Sequence, residues 1–244
     1  MILIPARLAS TRFPRKIIQE ILGIPMIVRV AKRAMEVDST VVASDSLEVV
    51  EICRHHGIEA ILTSKDHASG TDRIAEAARI LELPPHEVIL NVQGDEPFLE
   101  PEVIASLKEK MQEASLGDSP PFMASAYKKV SQEEASDPNL VKVVLDNHSC
   151  ALYFSRSPIP FWRDCTESTP LFYRGHLGLY AYTGSSLQAF CALPSSPLEE
   201  IEKLEQLRAL SHGHKILMIE VETRSFGIDT PQDLNRALKI FGDS

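Results

Sequence analysis

The sequence predicts an α/β fold with a mainly parallel central sheet and helices on both faces. Three observations carry that reading. Short β-rich runs alternate with helical runs from the start of the chain to about residue 126. No internal repeat, low-complexity tract or convincing linker divides the 244 residues, so one domain is expected. The polar motifs of the first half each follow a predicted strand, and the carboxyl ends of parallel strands are where open α/β sheets bind ligands.

The elements follow in order. Residues 1–5 (MILIP) are a short apolar run that suits a buried strand. Over 25–36, Met26, Ile27, Val30, Ala31, Ala34 and Met35 share one helical face. Residues 40–44 (TVVAS) read as a strand, 46–56 as a helix and 58–62 (IEAIL) as a strand. A helix is expected at about 71–82 and a strand at 87–92 (EVILNV). Pro101 suits the first turn of the next helix, whose apolar stripe is Val103, Ile104, Leu107 and Met111. A short strand is expected at 121–126.

The second half is less regular. Val141, Val143 and Leu145 alternate before a turn at Asp146-Asn147, which predicts a hairpin over 140–155. Residues 176–183 and 215–221 read as strands. Leu198, Ile201, Leu204 and Leu207 recur at helical spacing, so 197–211 is expected to be one helix. Thr230 suits the cap of a last helix, with Pro231 at its first position and Asp233 in its first turn.

The bulk numbers exclude several classes. A net charge of -9 argues against a broad nucleic-acid-binding face, because phosphate backbones need clustered Lys and Arg. The local exception is the first 19 residues, which hold Arg7, Arg12, Arg15 and Lys16 and no acid. A basic pocket on an acidic protein points to a small polyanion. Cys53, Cys150, Cys165 and Cys191 form no CxxC pair, so neither a zinc site nor a dithiol redox motif is indicated. The opening apolar run breaks at Pro5 and Arg7, too early for a signal-peptide core. No apolar run approaches the roughly 20 residues that span a bilayer. There is no GxxxxGK[ST] loop, GxGxxG turn, HExxH helix or GxSxG elbow.

Four segments carry chemistry. In IPARLASTRFPRK, four cations and the hydroxyls of Ser10 and Thr11 follow the first strand, the set a triphosphate needs. In NVQGDEP, a Gly turn presents Asp95, a hard oxygen ligand for Mg²⁺; the same residues suit a plain turn before the Pro101 helix. In SFGIDTP, Asp229 serves either the last helix start or, with Asp95, a shared metal. In ASGTDR, small residues open a helix whose N–H groups suit a base or phosphate as well as a cap. Arg156, His176, Tyr180, Glu205 and Gln206 are further candidates. Glu205 and Gln206 are expected on a helix, Tyr180 also suits the core, and His176 suits a satisfied strand histidine as well as a ligand group.

Taken together, the chain resembles the bacterial 3-deoxy-manno-octulosonate (Kdo) cytidylyltransferases, or CMP-Kdo synthetases. The resemblance rests on IPARLASTRFPRK, PMIVR, HASGTDR, NVQGDEPF, PNLVKVVLD, ALYFSRSPIPF, GHLGLY, SPLEEIEKLEQLR and GIDTPQDL, in this order over nearly the whole chain. It implies a nucleotide-diphospho-sugar transferase-like (Rossmann-like) fold, with a sugar-binding and dimerisation part in the second half. It also implies a cytoplasmic homodimer that uses Mg²⁺ and CTP to make CMP-Kdo for lipopolysaccharide synthesis, with no nucleic-acid or membrane partner. By resemblance Arg7 and Lys16 contact the CTP phosphates, with Ser10 in the same loop. Ser69, Gly70 and Arg73 lie in the nucleotide-binding turn, and Asp95 and Asp229 match the metal-binding aspartates. Gln93, Arg156, His176, Tyr180, Glu205 and Gln206 match the sugar-binding positions, where Arg156 and His176 are expected to offset the sugar carboxylate. Many members carry Gly where this chain has Arg15. The expectation is that the loop relaxes differently here or that φ at Arg15 is negative.

Overall fold

A computed structural model of the chain describes residues 1–9, 13–163 and 172–242. In chain order the elements are β1 (Ile2–Ala6), a 3₁₀ turn (Lys16–Ile18), the small hairpin β2 (Glu20–Ile21) and β3 (Ile24–Pro25), α1 (Met26–Met35), β4 (Thr40–Ser44), α2 (Leu47–His55), β5 (Glu59–Leu62), α3 (Gly70–Ile80), β6 (Val88–Asn91), α4 (Pro101–Ser115) and β7 (Met123–Val130). The second half holds α5 (Gln132–Ala135), β8 (Lys142–Leu145), β9 (Ala151–Ser155), β10 (Tyr173–Thr183), α6 (Gly184–Ala192), α7 (Pro197–Glu202), α8 (Leu207–Ser211), β11 (Ile216–Glu220) and α9 (Pro231–Phe241).

The main path of the sheet runs β11-β7-β10-β6-β1-β4-β5. Neighbours pair in parallel from β6 through β5 and at β7–β11, while β10 lies antiparallel to both β6 and β7. One reversed strand in an otherwise parallel sheet is the expected mixed α/β arrangement. The β8–β9 hairpin hangs from β10 through the Gly175–Lys142 pair.

The period-2 geometry of strands divides the core. Ile2, Ile4, Val42 and Leu90 face α1, α2 and α4 through Ile27, Val49, Ile104 and Leu107. Leu3, Val41, Ile89 and Met123 face the other way, onto Ile74 of α3, Phe190 of α6 and Leu207 of α8. A third cluster seats α9 by stacking Phe241 on Phe98 at 4.5 Å between ring centroids. Helix starts follow the sequence signals. Ser69 and Asp72 form a capping box for α3, Thr230 and Asp233 do the same for α9, and Pro101 and Pro231 sit in first turns.

The expected helix over 197–211 is two helices. Lys203 turns left-handed at φ 55° and ends α7, and α8 restarts at Leu207. Apolar spacing alone hid the break: Leu204 and Leu207 are buried, whereas Ile201 is 78% exposed. The first of these helices therefore shows its apolar residues to solvent. The strands β7 and β10 also extend further than expected, to Val130 and back to Tyr173.

Candidate active site

The early basic loop, the ASGTDR turn, the NVQGDEP turn and the start of α9 meet at the carboxyl edge of β1 and β6. Arg7, Ala9, Lys16, His67, Ser69, Gly70, Arg73, Gln93, Gly94, Asp95 and Asp229 line one cavity of about 790 Å³. Gly94 is required by packing rather than by ligand approach. A Cβ there would lie 2.8 Å from Ile17 Cδ1 and 3.1 Å from the Pro5 carbonyl oxygen. Its absence lets the β6 turn nest against the end of β1 and the 3₁₀ turn that carries Lys16.

Lys16 is the centre of the cavity floor. Its ammonium donates to Asp95 Oδ2 at 2.7 Å and to Asp229 Oδ1 at 2.8 Å. Burial alone would lower the Lys16 pKa, but attraction to Asp95 and the hydrogen bonds to both carboxylates outweigh it and raise it. Carboxylates separated by 134 residues of sequence thus share one cation. The main chain reinforces this, because Ile228 N–H donates to the Asp95 carbonyl at 2.9 Å. Two hard oxygens around one positive charge fit Mg²⁺, which takes one or two carboxylates and completes its shell with phosphate and water. Among the described residues no group of three His, Cys, Asp or Glu side chains is arranged for a metal, so phosphate oxygens would have to supply the rest. Beside Asp95, Glu96 is only 8% exposed, and burial together with the Asp95 charge pushes its pKa up to about 7.

Arg7 is exposed at the pocket and has no ion pair among the described residues, so its guanidinium is available to an anion. Ser10 lies outside the described residues. Arg15 adopts φ 58° and ψ 24°, which corrects the expectation of a relaxed loop or negative φ. The left-handed conformation persists although the residue is not Gly, and its guanidinium pairs with Glu48 on α2. Ser69 spends its hydroxyl on Asp72, so α3 offers the pocket its first-turn N–H groups.

Arg73 lines the cavity, yet its guanidinium is committed elsewhere. One nitrogen donates to Thr63 Oγ1 at 2.7 Å and to the Ser64 carbonyl at 3.1 Å, and the other to Asp45 Oδ2 at 3.0 Å. Asp45 also accepts from Leu8 N–H at 3.4 Å. The buried pair therefore ties together the loops after β1, β4 and β5. Asp45 was missed in the sequence, although its place directly after the 40–44 strand is the signal that would have found it.

A second polar group lies beside the cavity, reached through Thr71 in the first turn of α3. Thr71 Oγ1 donates to Glu205 Oε2 at 2.7 Å, and Tyr180 Oη donates to Gln206 Oε1 at 3.2 Å. Glu205 and Gln206 sit in the break between α7 and α8, not on a helix surface, and the break turns both side chains inward. Glu205 Oε1 and Gln206 Nε2 are buried without hydrogen-bond partners; the Arg208 guanidinium is 3.7 Å from the former. Burial raises the Glu205 pKa. Orphaned buried polar atoms are costly, and a polar ligand would satisfy them.

His176 joins this group through Tyr180, at 5.5 Å between ring centroids, and meets Ser125 Oγ at 2.9 Å. Burial pulls its pKa down to about 3, so it is neutral at ordinary pH and cannot offset a carboxylate by charge. Arg156 is not brought to the cavity. Its guanidinium donates to the carbonyls of Glu202 at 2.7 Å, Pro138 at 3.0 Å and Lys203 at 3.4 Å. That set fastens the end of α7 and the turn behind Glu205. Gln93 lines the cavity and donates to Asn91 Oδ1 at 3.3 Å.

Comparison with known proteins adds to this geometry. Residues 1–216 match the family model described as Cytidylyltransferase. A 3-deoxy-manno-octulosonate cytidylyltransferase of Nitratiruptor sp. is 54% identical over 236 residues, covering 97% of each chain. The protein of that name from Helicobacter pylori strain 26695 is 53% identical, covering 99% of this chain and 97% of its own. Among solved structures, CMP:2-keto-3-deoxy-manno-octonic acid synthetase complexed with CTP superposes with a TM-score of 0.90 at 38% identity, covering 99% of this chain and 98% of that one. A glucose-1-phosphate thymidylyltransferase from Bacillus anthracis shares the fold, with a TM-score of 0.67 at 16% identity over 100% of this chain and 95% of that one.

Proposed function

We propose that this chain, which belongs to the cytidylyltransferase family, is a single catalytic domain that transfers CMP from CTP to Kdo and releases pyrophosphate. The observation that carries the reading is the meeting of Asp95 and Asp229 on Lys16, in the cavity that also holds Arg7 and the α3 turn. A polyphosphate needs cations, N–H donors and a hard-ligand site together, and this cavity supplies all three. The CTP-bound relative with matching fold over nearly its full length supports the choice of nucleotide.

The reaction is in-line attack by the anomeric hydroxyl of the sugar on the α-phosphorus of CTP. It depends on alignment and charge neutralisation rather than on a protein nucleophile. Asp95 and Asp229 would hold Mg²⁺, which would supply Lewis-acid polarisation of the phosphate oxygens. Arg7 and Lys16 stabilise the charge that grows on the departing pyrophosphate. Ser69 and Gly70 present the N–H groups of α3 to the nucleotide. Glu205 Oε1 accepts from a sugar hydroxyl and Gln206 Nε2 donates to one, since neither atom has a hydrogen-bond partner in the protein, with Gln93 and Tyr180 beside them. His176 contributes as a neutral hydrogen-bonding group. Arg156 braces the Glu205 turn from behind.

The same reading makes the protein a cytoplasmic homodimer serving lipopolysaccharide synthesis. Exposed apolar side chains at Leu152, Phe161 and Ile201 support self-association. No helix among the described residues is long and apolar enough to cross a membrane.

The test is pyrophosphate release from CTP plus Kdo, with and without Mg²⁺, beside parallel reactions with 8-amino-Kdo and sialic acid. Metal-dependent release with Kdo is expected. Release only with another sugar acid would reassign the acceptor, and no release with any of them would refute the enzyme reading.

A further inference from the structure

Asp229 stands at the end of an irregular stretch, residues 221–230, that belongs to no strand or helix. Its last ladder-like bond is Val221 N–H to the Tyr127 carbonyl at 2.9 Å, and its next main-chain bond is Ile228 N–H to the Asp95 carbonyl. Between them, residues 222–227 make no main-chain to main-chain hydrogen bond among the described residues. Two polar side-chain anchors hold the stretch instead, alongside the packing of Phe226 and Ile228 against α9.

The first is Lys128 on β7. Its ammonium donates to the Ser225 carbonyl at 3.0 Å and the Thr223 carbonyl at 3.4 Å. The second is Glu100, the residue immediately before α4. It accepts from the Thr223 hydroxyl and, at 3.4 Å, from Arg224 N–H. Thr223 Oγ1 in turn accepts from Ser225 N–H at 2.8 Å. These contacts surround a second cavity of about 460 Å³, lined by Glu100, Lys128, Thr223 and Arg224. Neither Lys128 nor Glu100 lines the main cavity.

We infer that Lys128 is a positioning residue for nucleotidyl transfer: by gripping the Thr223 and Ser225 carbonyls it holds Asp229 opposite Asp95. The inference rests on the assignment of the two aspartates to the metal–phosphate site. Glu100 is the second anchor of the same stretch. A side-chain grip on an irregular segment is easily loosened, because water entering the second cavity can satisfy the freed carbonyls without unfolding the chain. What is loosened is the run-up to Asp229: the Ile228 N–H bond to the Asp95 carbonyl and the Asp229 N–H bond to Asp233 Oδ2 at 3.1 Å remain, so the aspartates stay neighbours and lose their fixed orientation. Groups behind a metal site commonly change its affinity by about 10-fold or more when removed.

The sign of the effect separates positioning from electrostatics. Deleting the Lys128 charge, which faces Glu96, Glu100 and Glu134, leaves more negative charge beside the site and by itself favours a divalent cation. Loosening the segment disfavours it. The experiment measures Mn²⁺ binding to the full-length protein in the presence of CTP, by electron paramagnetic resonance, for wild type, Lys128→Met, Lys128→Arg, Glu100→Gln and Asp229→Asn. Melting temperature is recorded for each.

Lys128→Met is expected to weaken Mn²⁺ binding by about 10-fold with its melting temperature retained. Lys128→Arg, which keeps the donors, is expected to recover part of the loss. Glu100→Gln keeps the side-chain shape and one acceptor oxygen, so it folds readily and is expected to show a smaller loss of the same sign. Unchanged or tighter Mn²⁺ binding in Lys128→Met overturns the inference. If that variant fails to fold, Glu100→Gln with wild-type Mn²⁺ affinity overturns it. Asp229→Asn isolates the underlying assignment: if it binds Mn²⁺ as wild type does, the metal reading fails whatever Lys128 does.

Discussion

Arg15 offers the most direct test of how this loop is built. The residue lies at φ 58°, ψ 24°, immediately before the 3₁₀ turn that carries Lys16. A Cβ in that region costs about 1–2 kcal/mol. Glycine removes the strain but loses about 0.5–1 kcal/mol through the greater freedom of its unfolded chain. The ion pair from Arg15 to Glu48 is exposed, at 57% and 45% of the two side chains, and is worth at most about 1 kcal/mol. Arg15→Ala removes the ion pair and keeps the strain. Arg15→Gly removes both. The difference between the two variants is therefore the backbone term alone, about 0.5–1 kcal/mol in favour of Gly. For a chain of this length that is a gap of about 2–4 °C per kcal/mol in melting temperature. Urea and thermal unfolding of both variants and wild type measure it. Wild type is expected to lie near Arg15→Gly, because the ion pair and the relieved strain are similar in size. An Arg15→Ala protein as stable as Arg15→Gly would show that the backbone is not strained at this position, and the account of the loop would fail.

Two further outcomes follow from the site. Lys16→Ala is expected to lower kcat/KM for CTP by about 10–100-fold, the range of a lost charge-assisted contact, while CMP binding changes far less. Equal losses for CTP and CMP, by kinetics and calorimetry, would remove Lys16 from the β- and γ-phosphates. His176 makes a pH prediction. Its pKa is about 3 folded against 6.5 as a free side chain, so the unfolded chain binds the extra proton between those values. Stability from this group is therefore complete above about pH 6.5 and is lost as pH falls toward 3. His176→Gln is expected to flatten the acid limb of the urea midpoint between pH 7 and 4.5; an unchanged slope would mean that His176 does not titrate as a buried neutral ring.

The order of strands and helices in the first half was legible because each element is short, strongly patterned and bounded by polar turns. The convergence of Asp95 and Asp229 was legible as chemistry: neither is a sufficient metal site alone, and the structure gives both to Lys16. What the sequence hid depends on burial and partners. His176 reads equally as a satisfied strand histidine and as a ligand group until its surroundings, Ser125, Phe154 and Tyr180, are known. Arg156 reads as a partner for the sugar carboxylate and Arg73 as part of the nucleotide-binding turn, yet both spend their guanidinium groups on protein oxygens.

A common physical cause links the two arginines. A guanidinium offers five donors in a fixed fork, so it is as effective at gathering several protein oxygens as at gripping a phosphate. Sequence position does not distinguish the two uses; partner geometry does. Between Arg7 and Arg73 the division follows exposure. Arg7 is exposed and has no ion-pair partner among the described residues, whereas Arg73 is 3% exposed and fully engaged. Removing a buried partner such as Asp45 would leave the Arg73 charge unpaired, a loss of about 3–5 kcal/mol in comparable sites, whereas Arg7 can be removed with little change in stability. The pocket is thus built from two kinds of cation. Arg73, like Lys16 on its two aspartates, fixes the pocket in place, whereas Arg7 is left to face the cavity. That separation lets an acidic protein hold a concentrated positive site without destabilising its fold.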